Sequence, residues 1–523
     1  MSSKDGIVMS RAIRAAYEHV EDEELMEPMV LFDKEGRPIG RIRDGDSAIF
    51  YNIRGEREIE LTESLTDSTF DKFPVKKMNL NFATMIEYKD GLNVRVAFPP
   101  EGQLSDTLSE TISRSGKRQV KVTEMEKAVH LGFFMNGRNG DPVSGEERVV
   151  VPTRKDVVLF DEAPEMSIDS ITAEVIEKIH DARYDFVVTN FPNVDVLGHI
   201  ENANAIIKAV EAVDRNAGLV VEEALKENMT VIATADHGTA EKWYYADGVI
   251  DTGHTDSPVP FILIRAGGKI ELYEGGELSD IAPTILQLLG IPQPDTMSGR
   301  SLIKGTLCTI SNRLLLVILD GWGFREAADG NLIAKAKTPV MDTLMKNYPF
   351  TTLAASGEAV GLPDGTVGNS EAGHLHIGAG RRVYSDSVRI QKAIADGSFS
   401  SNKAFLDVMK IAKERPAALH LLGIVSFFSS HGSVDYLFRI MELAKRVGIR
   451  EVYIHSMLSR RGEKPESGAR YIEKIERKCE ELQLGRVVSV IGRYWSMDRE
   501  ENWDRIEKTY RMLVFGEGKQ ISE

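Results

Sequence analysis

Three short stretches place acids and imidazoles where an α/β enzyme does its chemistry. Asp195 and His199 sit in "PNVDVLGHI", directly after the apolar run "YDFVVTNF". Asp236 and His237 follow "TVIATA", and His254 lies in "DTGHTDSPVP", just before "PFILIRA". A fourth apolar run, "LLLVIL", ends on Asp320 and continues as Gly-Trp-Gly. A buried carboxylate is costly unless a cation or hydrogen-bond donors meet it. A single aspartate at a strand end is usually a helix cap or turn former. Three of the chain's 11 histidines gathered with three such acids at equivalent positions point instead to metal ligation. The Asp-x3-His spacing puts Asp195 and His199 on one face if a helix begins there. Mixed carboxylate and imidazole donors suit zinc, manganese or magnesium-like ions.

A glycine-dense stretch, "GLPDGTVGNSEAGHLHIGAGR" from Gly361 to Arg381, carries Ser370 before a predicted helix start. A serine flanked by small residues can approach a metal closely, and coordination turns its hydroxyl into a nucleophile. The same residue could simply cap a glycine-rich turn. The two readings are compatible, because a helix N-terminus also stabilises a phosphate.

The elements that must position these residues are legible as α/β architecture. Strand-length apolar runs alternate with helical patterns over most of the chain. "YDFVVTNF", "TVIATAD", "PFILIRA" and "LLLVILD" read as strands buried on both faces, as parallel strands are. Between them lie helices such as "ANAIIKAVEAVDRNAGLVVEEALKE" and "ELSDIAPTILQLLGI", the latter running into a glycine cap. A second alternating set runs from "ALHLLGIVS" to "NWDRIEKTYRML", and shorter strands such as "SAIFYNIR" occupy the first 100 residues.

Composition narrows the class. At 523 residues, 42% hydrophobic and 28% charged, the chain has room for two or three ordinary globular domains. A net charge of −16 argues against nucleic acid or an anionic membrane as partner. No apolar run reaches the roughly 18–20 residues of a membrane span. The first residues lack a signal-peptide pattern, and two cysteines, Cys308 and Cys479, make no disulfide framework. These features lead us to expect a cytoplasmic protein whose basic residues are gathered locally if its substrate is anionic.

The motifs resemble those of the cofactor-independent phosphoglycerate mutases, members of the alkaline phosphatase superfamily. "LLLVILDGWG", "GLPDGTVGNSEAGHLHIGAGR", "IGRYWSMDREENWDR", "TADHGTAE" and "TGHTDSPVPF" carry the resemblance. In that family the "VILDGWG" strand opens the chain, so the resemblance implies a circular permutation, with the family's two ends fused through the linker Ile303–Arg313. It implies an alkaline-phosphatase-like metal domain over 103–385. An α/β phosphotransferase domain would be built from 386–523 plus 1–102. Asp195, His199 and His254 would hold one metal, and Asp320, Ser370, Asp236 and His237 the other. The expected ions are two divalent cations, manganese first, with magnesium, cobalt or zinc as alternatives. His431, Arg461, Arg493, Arg499, Arg54, Arg57 and Lys127 would bind a small phosphorylated substrate. Guanidinium forks match phosphate and carboxylate geometry.

The implied activity is interconversion of 3-phosphoglycerate and 2-phosphoglycerate by an isomerase of glycolysis, through a phosphoserine on Ser370, acting as a monomer. A metal-dependent phosphatase or a mutase for another phosphorylated molecule is the alternative, and a non-catalytic homologue is a third. The chain departs from the family at "SRRGEKP", where Gly462 stands in place of an acid expected to touch a substrate hydroxyl. It also departs at "SFFSSHGS", which keeps His431.

Overall fold

The computed structural model describes residues 8–17, 22–157, 159–266, 270–305, 310–415, 417–426, 431–459 and 467–522. The chain divides into two compact units, Glu101–Val388 and Met1–Pro100 with Arg389–Glu523. Both are α/β.

In the unit Glu101–Val388, the strand Leu314–Leu319 lies at the centre of a seven-stranded sheet. Its six apolar side chains are all fully buried, each worth roughly 1.5–3 kcal/mol relative to exposure. Thr230–Thr234 and Phe186–Phe191 flank it in parallel. Gln119–Glu124 and Glu146–Val151 extend the parallel sheet on one side.

On the other side the expectation of a parallel strand fails. Val259–Ile264, from "PFILIRA", runs antiparallel to Thr230–Thr234, and Phe350–Leu353 runs antiparallel to it in turn. The reason is the short excursion from residue 235 to 258, which has no crossover helix. The loop folds back on itself at the Gly238–Thr255 bridge, and the chain re-enters the sheet at the edge it left. That reversal brings His254, at a strand start, to the same edge as the acids at strand ends.

The helices Ile168–His180 and Ala203–Lys226 pack against one another beside this sheet. The helix Ile281–Leu289 ends on Gly290 in the left-handed conformation (φ 68°), as the sequence suggested.

The other unit has an eight-stranded sheet with Leu419–Val425, Val452–Leu458 and Arg486–Gly492 as parallel neighbours. Ser47–Phe50, Asn81–Ile86 and Arg95–Phe98 continue it in parallel from Leu419–Val425. On its far edge Met29–Phe32 pairs antiparallel with Arg486–Gly492 and parallel with Lys519–Ser522. Residues from both ends of the sequence therefore share one sheet.

Candidate metal centre

The ligand candidates of the unit Glu101–Val388 sit close to the ends of its elements. Asp320 follows the central strand, and Asp236 and His237 follow Thr230–Thr234. Asp195 lies in the short helix Asn193–Gly198, with His199 at its C-cap. Ser370 is the first residue of the helix Ser370–Ala379. The cap of that helix is Asn369, whose side chain accepts from the Ala372 amide at 2.8 Å. The Ser370 hydroxyl is thereby released from capping.

Glycines let these loops close on each other. Gly321 has φ 80°, and a Cβ there would stand 2.7 Å from the Asp195 nitrogen. That contact accompanies the bond from the Asp195 amide to the Asp320 carbonyl at 3.1 Å. Gly373 brings the serine helix onto Asp236, where an added Cβ would meet the Asp236 carbonyl oxygen at 2.6 Å.

The side chains converge in two overlapping groups, Asp195–His237–His254 and Asp236–His237–Asp320, whose donor atoms lie within 4.8 Å of one another. His237 Nε2 is the shared atom, 3.6 Å from Asp195 Oδ1, 3.6 Å from Asp236 Oδ2 and 3.5 Å from Asp320 Oδ1. His254 Nε2 is 3.0 Å from Asp195 Oδ1, and His199 Nε2 is 3.4 Å from the same oxygen. Their outer nitrogens face backbone carbonyls, His254 Nδ1 at Gly368 (2.9 Å) and His199 Nδ1 at Thr252 (2.7 Å). Such bonds orient an imidazole so that Nε2 points at the ion.

Ser370 Oγ lies 2.9 Å from His237 Nε2 and 3.3 Å from Asp320 Oδ1. Lys127, grouped above with the substrate residues, stands among the carboxylates. Its ammonium donates to Asp195 Oδ2 at 2.7 Å, Asp320 Oδ1 at 3.0 Å and Ser370 Oγ at 2.7 Å.

Burial opposes charge at every one of these groups. At Lys127 it is outweighed by Asp320, Asp195 and Asp236, which hold its pKa above the ordinary lysine value. At His237 it is outweighed by Asp236, Asp320 and Asp195, and the pKa is pushed up to about 10. Asp195 is held well below the usual carboxylate range against its burial, by Lys127, His199 and His254. Asp236 is likewise held low, by His237, His374 and Lys127.

This donor set fits divalent cations. Three buried carboxylates are packed together, and the buried Asp236 Oδ2 has only loose partners among the described residues, His374 Nδ1 at 3.2 Å and His237 Nε2 at 3.6 Å. Leaving a carboxylate oxygen in that condition is expensive unless a cation meets it.

Two buried residues escaped the sequence reading. Asn190 Nδ2 donates to Asp320 Oδ2 at 2.7 Å and stands 3.1 Å from His374 Nε2. His374 Nδ1 lies 2.9 Å from the Ser370 carbonyl. Signals existed for both: Asn190 interrupts a buried apolar run, and His374 is four residues along the helix from Ser370.

Of the remaining candidates, Arg54, Arg57, His431, Arg493 and Arg499 lie in the other unit, past the ends of its parallel strands, where open α/β sheets bind ligands. Arg54 Nη2 and Arg499 Nη1 each reach Glu56 Oε1 at 2.9 Å. Arg57 Nη1 donates to the Met497 carbonyl at 3.0 Å. Arg493 Nη1 donates to Ser459 Oγ at 3.2 Å, and its Nη2 stands 3.3 Å from His431 Nε2. Arg461 and Gly462 lie outside the described residues.

A family model described as the Metalloenzyme superfamily matches residues 28–293, about half of the chain. A second, described as the BPG-independent PGAM N-terminus, matches 390–523. The 2,3-bisphosphoglycerate-independent phosphoglycerate mutase of Clostridium botulinum is 42% identical over 294 residues, 56% of this chain and 57% of the relative. That of Moorella thermoacetica is 39% identical over 296 residues, again 56% and 57%. The chain thus spans just over half the length of these curated relatives. A solved structure of Leishmania mexicana phosphoglycerate mutase at low cobalt concentration is 29% identical and covers 52% of this chain and 53% of that one. Its TM-score of 0.36 adds nothing to the geometry above. By the match over half its length, the chain belongs to the Metalloenzyme superfamily.

Proposed function

We propose that this chain interconverts 3-phosphoglycerate and 2-phosphoglycerate by way of a phosphoserine at Ser370. The observation that carries the reading is the setting of the Ser370 hydroxyl. It is buried at a helix N-terminus, 2.7 Å from the Lys127 ammonium and 2.9 Å from His237 Nε2, beside the acids of a metal cluster. Relatives at 39–42% identity that carry the mutase name supply the substrate class.

In this reading Asp195, His199 and His254 hold one divalent ion, and Asp236, His237, Asp320 and Ser370 hold the other, with manganese the first candidate. Such ions supply Lewis-acid charge neutralisation and a lowered serine pKa. The protein's own groups do the rest. Ser370 Oγ gives up its proton as it attacks phosphorus, the new Oγ–P bond replaces the P–O bond to glycerate, and the freed glycerate oxygen takes up one proton, so that the step as a whole neither gains nor loses one. The Lys127 ammonium and the N-terminal amides of the helix Ser370–Ala379 stabilise the charge on the transferring group. The family resemblance gives recognition of the glycerate carboxylate to the guanidinium groups of Arg54, Arg57, Arg461, Arg493 and Arg499, with His431. The other hydroxyl then takes the phosphoryl group back from Ser370. Water must be kept from the phosphoserine throughout.

The enzyme in this reading is a cytoplasmic monomer acting on a small phosphorylated substrate. Among the described residues no helix is long and apolar enough to cross a membrane, and Cys479 is a free buried thiol.

The test supplies 3-phosphoglycerate with Mn2+ and no bisphosphoglycerate. Formation of 2-phosphoglycerate and a rapid-quench phosphopeptide carrying Ser370 are expected, and both should vanish in Ser370→Ala. A phosphohistidine at His237 or His431 would replace this mechanism with another.

We also propose that the chain order is rotated relative to these relatives. The family model for their N-terminal part matches 390–523, after the 28–293 match. The first and last described strands, Met29–Phe32 and Lys519–Ser522, are parallel neighbours in one sheet. Joining Glu523 to Met1 and opening the chain near Thr309 should yield a folded, active protein. An insoluble or inactive product would count against the rotation.

A further inference from the structure

The side chain of Asn190 is fully buried at the end of the strand Phe186–Phe191, and its amino group faces two acceptors. One is Asp320 Oδ2 at 2.7 Å, the other His374 Nε2 at 3.1 Å. The opposite amide orientation would set Asn190 Oδ1 against the Asp320 carboxylate, oxygen to oxygen, so chemistry fixes the amide as drawn. With a donor facing Nε2, the His374 proton must sit on Nδ1. That atom lies 2.9 Å from the Ser370 carbonyl oxygen and 3.2 Å from Asp236 Oδ2.

The result is a buried chain of contacts, Asp320–Asn190–His374–Ser370, with Asp236 beside its last link. It ties together the three elements that carry the proposed ligands of one ion. It also decides which oxygen of Asp320 faces the site. Oδ2 is engaged by Asn190, leaving Oδ1 turned toward Lys127 (3.0 Å), Ser370 Oγ (3.3 Å) and His237 Nε2 (3.5 Å). Neither Asn190 nor His374 is among the proposed ligands.

We infer that Asn190 and His374 are positioning residues for the ion held by Asp236, His237, Asp320 and Ser370, and not for its neighbour. Asn190 selects the ligating oxygen of Asp320. His374, as the Nδ1–H tautomer, fixes the first turn of the serine helix against Asp236. This rests on the metal reading proposed above. Outer-shell partners of this kind typically change metal affinity 10–100-fold when removed.

The experiment is Mn2+ binding to the full chain, stripped of metal, by equilibrium dialysis with EPR detection. The parent protein should bind two ions. Asn190→Leu and His374→Phe should each weaken one ion 10–100-fold and leave the other within about threefold. His374→Asn, which keeps an amide donor near the Nδ1 position, should recover most of the loss, whereas His374→Gln should not. If the larger substitutions do not fold, His374→Asn against His374→Gln decides alone, with metal-free melting temperatures as the control for the fold. Folded variants that bind both ions as the parent does, or that lose both equally, would overturn the inference while leaving the metal centre in place. A parent protein that binds no Mn2+ would overturn both.

Discussion

Lys127 Nζ and Ser370 Oγ are 2.7 Å apart, and the same ammonium touches Asp195 and Asp320. A lysine buried this deeply stays charged because the acids outweigh its desolvation. It therefore delivers a fixed positive charge to Ser370, the proposed nucleophile, in a site where water contributes little screening. Lys127→Met nearly conserves volume and removes that charge. Turnover should fall by about 10²–10³, the usual cost of one preorganised donor to a charged transition state. Metal content and melting temperature in Mn2+ should stay close to the parent values. Turnover within threefold of the parent would mean that Lys127 only balances charge.

The acids of the centre repel one another when no divalent ion is bound. Asp195, Asp236 and Asp320 are all buried, and Asp236 Oδ2 has only the loose contacts of His374 Nδ1 at 3.2 Å and His237 Nε2 at 3.6 Å. Mn2+ at 100 times its dissociation constant should add about 2.7 kcal/mol of stability per site. Chelator should reverse the gain and abolish phosphoryl transfer. The measurement is thermal unfolding of the stripped protein across a Mn2+ series. A melting temperature indifferent to both Mn2+ and chelator would remove the basis for the metal centre.

Why some of this was legible in the sequence follows from what a buried strand permits. "LLLVIL" needs a fully buried environment, so a carboxylate at its end had to meet compensation, and Asp320 stood out. Asp236, after "TVIATA", stood out for the same reason. The direction of "PFILIRA" was not legible, because a fully buried strand reads alike whether its neighbour runs with it or against it. Only the 235–258 excursion settles that. Asn190 was passed over because an amide at a strand end is tolerated by many turns, and its meaning depends on Asp320, 130 residues away. Lys127 was grouped with the arginines by the family resemblance, and only the fold places it against three ligand candidates.

A second buried lysine makes a prediction about pH. Lys121 is fully buried beside Glu146 (3.7 Å) and hydrogen-bonded to Asn136, and desolvation lowers its pKa to about 8 despite Glu146. The ordinary value is 10.5, so between about pH 8 and 10.5 the unfolded chain binds more protons here than the folded one. Stability from this group therefore rises with pH across that window, and the penalty of burying the charge is complete below about pH 8. Lys121→Met abolishes the penalty, while Glu146 keeps Arg148 and Asn136 as partners. The variant should be more stable than the parent at pH 7 by up to about 3 kcal/mol, less whatever the lost Asn136 bond contributed. The gap should close as pH approaches 10.5. Urea unfolding of both proteins at pH 7, 8, 9 and 10 checks it, and a gap that widens with pH refutes the sign.

The last prediction concerns Gly462, where the family resemblance sets an acid against a substrate hydroxyl. A hydroxyl deprived of a buried partner loses on the order of 1–3 kcal/mol. In the proposed reaction that loss would fall on the free glycerate, which has to stay bound and turn while Ser370 carries the phosphoryl group. Formation of the proposed phosphoserine would depend on Ser370, Lys127 and the acids around them, which the structure brings together. Water should then intercept the phosphoserine more often than in an enzyme with the acid, giving 2-phosphoglycerate together with free phosphate. Gly462→Asp should raise the ratio of 2-phosphoglycerate to phosphate several-fold. Glu463 is the neighbouring side chain that could reach the same hydroxyl, and Glu463→Gln separates the cases. If Glu463→Gln abolishes isomerisation and the parent shows no phosphate release, Glu463 supplies the missing contact. If neither substitution moves the ratio, this loop does not touch the glycerate, and the assignment of 3-phosphoglycerate gives way to another phosphorylated substrate.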